Sequence, residues 1–211
     1  MKKGIIFDMD GTLWDSAENV ANAWNEVLRD MGYMNLVITR EDMYRVMGKT
    51  MDVIAEILFP DIDNAQREDI LKKCCQKEND YLRSHGGILY PELVDTLKEL
   101  SNGYNLYIVS NCQSGYIEAF LDYYKLWDLF LDIECFGNNG LQKGDNIRKL
   151  VERNNLDTAV YVGDIQGDYD ASKAAGVSFI HAAYGFGTID EEVTAINTFK
   201  DLIIAVEKEL H

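Results

Sequence analysis

The stretch "GIIFDMDGTLWDS", Gly4–Ser16, decides the fold. Its apolar run, Ile5-Ile6-Phe7, has the character of a short buried strand, yet it ends in Asp8 and Asp10, one residue apart, and passes into Gly11-Thr12. Carboxylates buried without a partner are costly, so a pair of them at a strand end requires compensation from elsewhere in the chain.

Outward from this stretch, four further apolar runs follow at Asn105–Val109, Leu131–Cys135, Ala159–Val162 and Ser178–Ala182. Helical spacing separates them, at Ser114–Tyr124, Asn146–Asn154 and Asp170–Ala175. Strand alternating with helix predicts an α/β fold with a doubly wound parallel sheet. The gap between the first two runs is too long for one crossover. From Ser16 to about His85 it carries helix-type spacing and no convincing strand, so an all-helical module is expected to be inserted at 16–87, dividing a core made of 1–15 and 88–211. Gly86-Gly87 reads as a hinge and Pro91 as a helix start.

Composition narrows the function. A 211-residue chain that is 47% hydrophobic with two prolines is globular rather than disordered. The formal net charge of -16 argues against a sequence-independent grip on nucleic acid, which needs Lys and Arg on phosphates, but leaves room for a small anion held by a metal ion and local donors. No stretch approaches the ~18 apolar residues of a membrane span, and the N-terminal residues lack a signal-peptide pattern, so a cytoplasmic protein is expected, as a monomer or homodimer. Cys74, Cys75, Cys112 and Cys135 show no zinc-type or disulfide-scaffold spacing and are assigned no chemistry.

In an open parallel sheet, ligands bind beyond the carboxyl ends of the strands. Phe7 leads there into Asp8, Val109 into Ser110-Asn111, and Val162 into Gly163-Asp164. Asp8, Asp10 and Asp164, with Asp168 behind them in "GDIQGD", form an oxygen-rich set suited to Mg2+. That cation answers the cost of the paired carboxylates.

With these motifs assembled, the chain resembles the haloacid dehalogenase-like superfamily, in its phosphatase branch near the phosphoglycolate phosphatases. Asp8-Met9-Asp10-Gly11-Thr12 followed by Leu13-Trp14-Asp15-Ser16 matches the first motif, Ser110 the second, Lys143 in "LQKGDN" the third, and Gly163–Asp168 the fourth; "AAYGFGTIDE" is similar to the loop after the last core strand. The match is specific in the core and weak in the insert. Relatives often have Lys-Pro where Lys143-Gly144 stands here, and Lys149 is a second lysine in reach of the same assignment.

The resemblance implies a Mg2+-dependent phosphatase acting on a small phosphorylated metabolite. Asp8 is the implied nucleophile, giving an aspartyl-phosphate, and Asp10 the acid and base, with its backbone carbonyl rather than its side chain on the metal. Ser110 and Lys143 are implied to hold the transferred phosphoryl group, with donors from Gly11, Thr12 and Asn111, while Asp164 and Asp168 complete the metal site. Lys49, in the "MGKT" loop, is a candidate substrate contact and equally a solvated surface lysine. Trp14, Trp24 and Tyr44 are read as core aromatics ahead of site-lining ones, and His85 and His181 as non-catalytic. Two rivals stay open: a phosphomutase using the same acids, and a non-catalytic phosphate-ligand-binding module.

Overall fold

The computed structural model describes residues 1–210 of the chain. Its centre is a six-stranded sheet in the order β5-β4-β1-β6-β7-β8, every neighbouring pair parallel. The strands are β1 (Lys3–Phe7), β4 (Asn105–Ser110), β5 (Phe130–Cys135), β6 (Thr158–Gly163), β7 (Ser178–Ala182) and β8 (Thr194–Ile196). A separate antiparallel pair joins β2 (Trp14–Asp15) to β3 (Ile88–Leu89). All five expected strands are present; β2, β3 and β8 are additions, because strands of two or three residues are too short to display a period of two.

β1 is central because it is apolar on both faces, as strands covered by helices on two sides must be. Ile5 and Phe7 point into one core with Ile108, Val160, Val162 and Ile180, whereas Ile6 points into the other with Tyr107, Val109 and Tyr161. The first core is closed by α5 (Leu93–Leu100), α6 (Tyr116–Tyr124) and α10 (Leu202–Glu209); the second is closed by α8 (Lys143–Arg153) and α9 (Gln166–Ala175). A one-turn helix, α7 (Phe136–Asn139), follows β5. The result is the α/β three-layer, doubly wound arrangement.

Between β2 and β3 the chain forms four helices: α1 (Ala17–Asp30), α2 (Arg40–Val46), α3 (Met51–Leu58) and α4 (Asn64–His85). Val20, Trp24, Val27 and Leu28 of α1 form a buried stripe at helical spacing that packs with Ile70, Cys74 and Leu82 of α4. α2 starts at a reciprocal cap in which Thr39 Oγ1 accepts from the Asp42 amide and the Asp42 carboxylate accepts from the Thr39 amide. The Asp15 carboxylate, just ahead of α1, accepts from Arg40 at 2.5 Å and from Tyr44 at 2.6 Å, tying this layer to the core.

Two local expectations change. Pro91 does not start a helix: α5 begins at Leu93, behind Glu92, whose φ of 60° turns the chain first. The helix expected at Asn146–Asn154 begins a turn earlier, with Lys143 as the first residue of α8. Among the described residues no helix is long and apolar enough to cross a membrane.

Candidate active site

Register brings the polar strand ends together. Phe7 pairs with Ile108 on one side and Val162 on the other, so Asp8, Ser110 and Asp164 emerge along one carboxyl edge of the sheet. After Asp8 the chain turns tightly, with the Leu13 amide donating to the Met9 carbonyl and the Gly11 amide to the Trp14 carbonyl. Gly11 stands at φ +81°, and a Cβ there would overlap the Asp164 carboxylate. Glycine is therefore required twice over, for the left-handed backbone and for the close approach of the two loops.

Asp8 is fully buried, and the Lys143 ammonium donates to its Oδ1 at 2.9 Å and to Asp168 Oδ1 at 2.6 Å. Asp168 Oδ2 accepts from the amides of Asp164 and Ile165 at 3.0 and 3.2 Å, which fixes the loop after β6. Asp164 Oδ2 accepts from the Phe186 amide at 2.7 Å, so the Tyr184–Gly187 loop closes onto the acids. Asp8, Asp164 and Asp168 each offer an oxygen within 4.8 Å of the others, all buried.

Three carboxylates face one ammonium here. The two negative charges left over match a divalent cation, and the all-oxygen donor set suits a hard one, the class to which Mg2+, Ca2+ and Mn2+ belong. Burial and the charge of Asp168 push Asp8 up to about 7 despite Lys143, and burial with the same neighbour holds Asp164 well above the usual carboxylate range. Burial opposes the Lys143 charge, but Asp168 and Asp8 outweigh it and keep that lysine firmly protonated. The residues thus fit a divalent cation on charge and on donor type.

The Asp10 side chain lies outside this cluster. Its Oδ1 accepts from Ser16 Oγ at 2.6 Å and from the Tyr116 hydroxyl at 2.7 Å, while Ser16 and Tyr116 are themselves 2.8 Å apart. Burial raises Asp10 to about 6 even though these two hydrogen bonds favour its charged form. Two aspartates one residue apart thus have separate surroundings.

Beyond Asp10 and Ser110 a cavity of about 40 Å3 runs under the helical layer. Asn111, Lys49, Glu78, Gln113 and Trp24 reach its lining, with Met43, Met47 and Met51. Asn111 Nδ2 donates to the Gly48 carbonyl at 2.9 Å, bridging core and helices. Lys49 borders the cavity but is solvent-exposed. Gly11 and Thr12 are not part of this lining; Thr12 is buried, its carbonyl accepting from the Tyr184 hydroxyl.

Of the aromatic residues, Trp14 packs in the core against Tyr116, Phe120 and Tyr124. Trp24 is buried and also lines the cavity, and Tyr44 sits on Phe186 at the junction of the two layers. Lys149 is exposed, whereas Lys143 is buried among the acids.

Three residues near the acids were not singled out from the sequence: Glu78, Tyr116 and Gln113. Glu78 had a legible signal. Ile70, Cys74, Glu78 and Leu82 are the buried positions of α4, at a spacing of four, so an acid occupies the apolar stripe of an otherwise charged helix. Tyr116 sits in an ordinary apolar helix pattern, and Gln113 in a loop without one.

Comparison with known proteins agrees with this architecture. The chain is 29% identical over 200 residues to a phosphoglycolate phosphatase of Aliivibrio fischeri, covering 87% of this chain and 85% of that protein. A crystal structure of a haloacid dehalogenase-like hydrolase from Bacteroides fragilis superposes with a TM-score of 0.81 at 26% identity, over 96% of this chain and 100% of that one. The structure of CbbY from Rhodobacter sphaeroides in complex with phosphate shares the fold at a TM-score of 0.81 and 22% identity, over 98% and 100% of the two chains. The family described as haloacid dehalogenase-like hydrolase matches residues 5–182, and the chain belongs to it.

Proposed function

We propose that the chain is a Mg2+-dependent phosphatase that hydrolyses a small phosphorylated metabolite through an aspartyl-phosphate on Asp8. The observation that carries this reading is the division of labour between Asp8 and Asp10: one carboxylate sits among acids and Lys143, the other is held apart by Ser16 and Tyr116. The relationship to phosphoglycolate phosphatases supports phosphomonoester hydrolysis as the reaction class.

Asp8, Asp164 and Asp168, with the Asp10 backbone carbonyl, would hold the cation. When bound, it supplies charge neutralisation, letting an anionic carboxylate approach an anionic phosphoryl group. Asp8 attacks phosphorus, and the bond to the leaving oxygen breaks as the new P–O bond forms. Asp10, raised to about 6, holds a proton for that oxygen and takes one back from the water that cleaves the intermediate. Tyr116 and Ser16 keep its carboxyl turned toward the cavity. Lys143 offsets charge on the phosphoryl oxygens, and Ser110 donates to one of them, with the Asn111 amide as a further donor. The Gly11 and Thr12 amides, expected to join them, are spent on the Trp14 and Met9 carbonyls inside the turn.

Residues 16–87 act as a cap in this reading. A swing of these helices would widen the way to the cavity for a phosphoester and its closure would shield the site from bulk water. The chain crosses between layers at Asp15–Ser16 and Gly86–Gly87, beside the β2–β3 pair, and these crossings are the natural hinges. Opening breaks the Asn111–Gly48 contact and loosens the contacts of Arg40 and Tyr44 with Asp15.

The test is phosphate release from p-nitrophenyl phosphate. Release that requires Mg2+ and disappears in Asp8→Asn supports the reading; activity surviving in that variant contradicts it.

A further inference from the structure

Buried polar atoms are expected to find partners, so those left over in a ligand cavity describe what the ligand brings. The wall facing Asp10 has such a set. Glu78, 3% exposed, accepts from Trp24 Nε1 at 2.5 Å, and its other near neighbour is the amide of Gln113; neither carries a positive charge. Gln113, 8% exposed, spends its Nε2 on Asn79 Oδ1 at 3.0 Å, leaving Oε1 buried without a hydrogen bond. Asn111 likewise spends its amide nitrogen on Gly48, and its Oδ1 is buried and unpartnered. Glu78 belongs to α4, Gln113 and Asn111 to the loop after β4, so acceptors approach the cavity from two sides.

Lys49, the only lysine among the described residues that border the cavity, stands in solvent at its edge. Burial raises Glu78 to about 7 even though Trp24 and Gln113 favour its charged form. A carboxylate on the leaving group would therefore be desolvated beside an acid that already ionises at a cost, with no buried cation to neutralise either. A leaving group with hydroxyls on several carbons supplies donors to acceptors that are spread apart, which a single ammonium at one point does not. The remaining wall, Met43, Met47 and Met51, suits the apolar face of a carbon skeleton.

We propose that Glu78, with Gln113 and Asn111, selects phosphomonoesters whose leaving alcohol carries several hydroxyl groups, a sugar or polyol monophosphate, and rejects esters whose leaving group carries a carboxylate. This rests on the phosphatase reading and sets its substrate class apart from that named for the phosphoglycolate phosphatase relatives. Glu78 is a specificity residue; it takes no part in moving the phosphoryl group.

The experiment measures kcat/KM with Mg2+ for a series of sugar and polyol monophosphates, phosphoglycolate, ethanolamine phosphate and p-nitrophenyl phosphate, in the wild type and in Glu78→Gln. The wild type is expected to prefer the best polyol ester over phosphoglycolate by about a hundredfold or more. Glu78→Gln keeps an acceptor for Trp24 but removes the ionisable carboxyl, and should narrow that ratio at least about tenfold, chiefly through KM for phosphoglycolate. Phosphate release with phosphoglycolate or ethanolamine phosphate preferred overturns the proposal while the phosphatase reading stands. Release from no ester, p-nitrophenyl phosphate included, overturns both. A wild-type preference for polyol esters that Glu78→Gln leaves unchanged, in a variant melting like the wild type, removes Glu78 as its cause.

Discussion

The Tyr116 hydroxyl donates to Asp10 Oδ1 at 2.7 Å across 106 positions of sequence. This bond, doubled by Ser16, explains why Asp10 stands apart from the three clustered acids only two residues after Asp8. Two acids with different surroundings can do two different jobs, one as nucleophile and one as proton carrier.

Tyr116→Phe removes one of the two hydrogen bonds that favour ionised Asp10, so its pKa should rise above the present value of about 6. In a pH profile of kcat/KM the limb belonging to Asp10 should move to higher pH. A loss of roughly tenfold at the optimum would match one hydrogen bond of about 1–1.5 kcal/mol. An unmoved profile would show that Tyr116 does not position Asp10.

Lys143 and Lys149 can be told apart by stability as well as activity. Lys143→Ala leaves Asp8 and Asp168 buried beside an empty space, at an expected cost of about 3–5 kcal/mol in the metal-free protein. Its turnover should fall by roughly 10²–10³. Lys149→Ala, at an exposed position, should match the wild type in both melting temperature and turnover. The reverse pattern would reassign the lysine.

Stability without metal should decline as pH rises. Asp8 in the folded chain sits at about 7, above its ordinary 3.8. Below about 3.8 it is protonated whether folded or not, and its favourable contribution is complete. Between 3.8 and 7 the unfolded chain ionises while the folded chain keeps the proton, so that contribution is lost as pH climbs through 7. Mg2+ competes with that proton and compensates the charge. Adding Mg2+ should therefore raise the melting temperature more at pH 8 than at pH 5.5, and an increment independent of pH would mean binding elsewhere.

Gly11→Ala tests the close approach of the two acidic loops. The left-handed backbone alone should cost about 1–2 kcal/mol, and the added methyl must displace the Asp164 carboxylate. A higher Mg2+ concentration for half-maximal activity is expected. An unaltered Mg2+ requirement would indicate that Asp164 is not part of the metal site.

Much of this was legible in the sequence because the informative residues lie where strands stop. Asp8, Ser110 and Asp164 each follow an apolar run, and parallel pairing of those runs forces them to one edge. β2, β3 and β8 escaped because a pair or triplet of residues has no periodicity; the β2–β3 pairing is decided by where the helical insert leaves and rejoins the core, and β8 by the edge of β7 it lies against. Tyr116 and Gln113 escaped for a different reason: their importance comes from what faces them across the fold. Glu78 lies between these cases, since an acid in register with Ile70, Cys74 and Leu82 violates the expected apolar stripe and marks a position held by something other than packing.

The central claim is that the phosphoryl group passes through Asp8. The most direct measurement is acid quenching of the enzyme during turnover of a phosphomonoester with Mg2+, followed by mass spectrometry of its peptides. A phosphoryl group on Asp8, absent from Asp8→Asn, is the predicted result. Steady turnover with no phosphorylated Asp8 in the quenched protein, together with activity retained in Asp8→Asn, would contradict it.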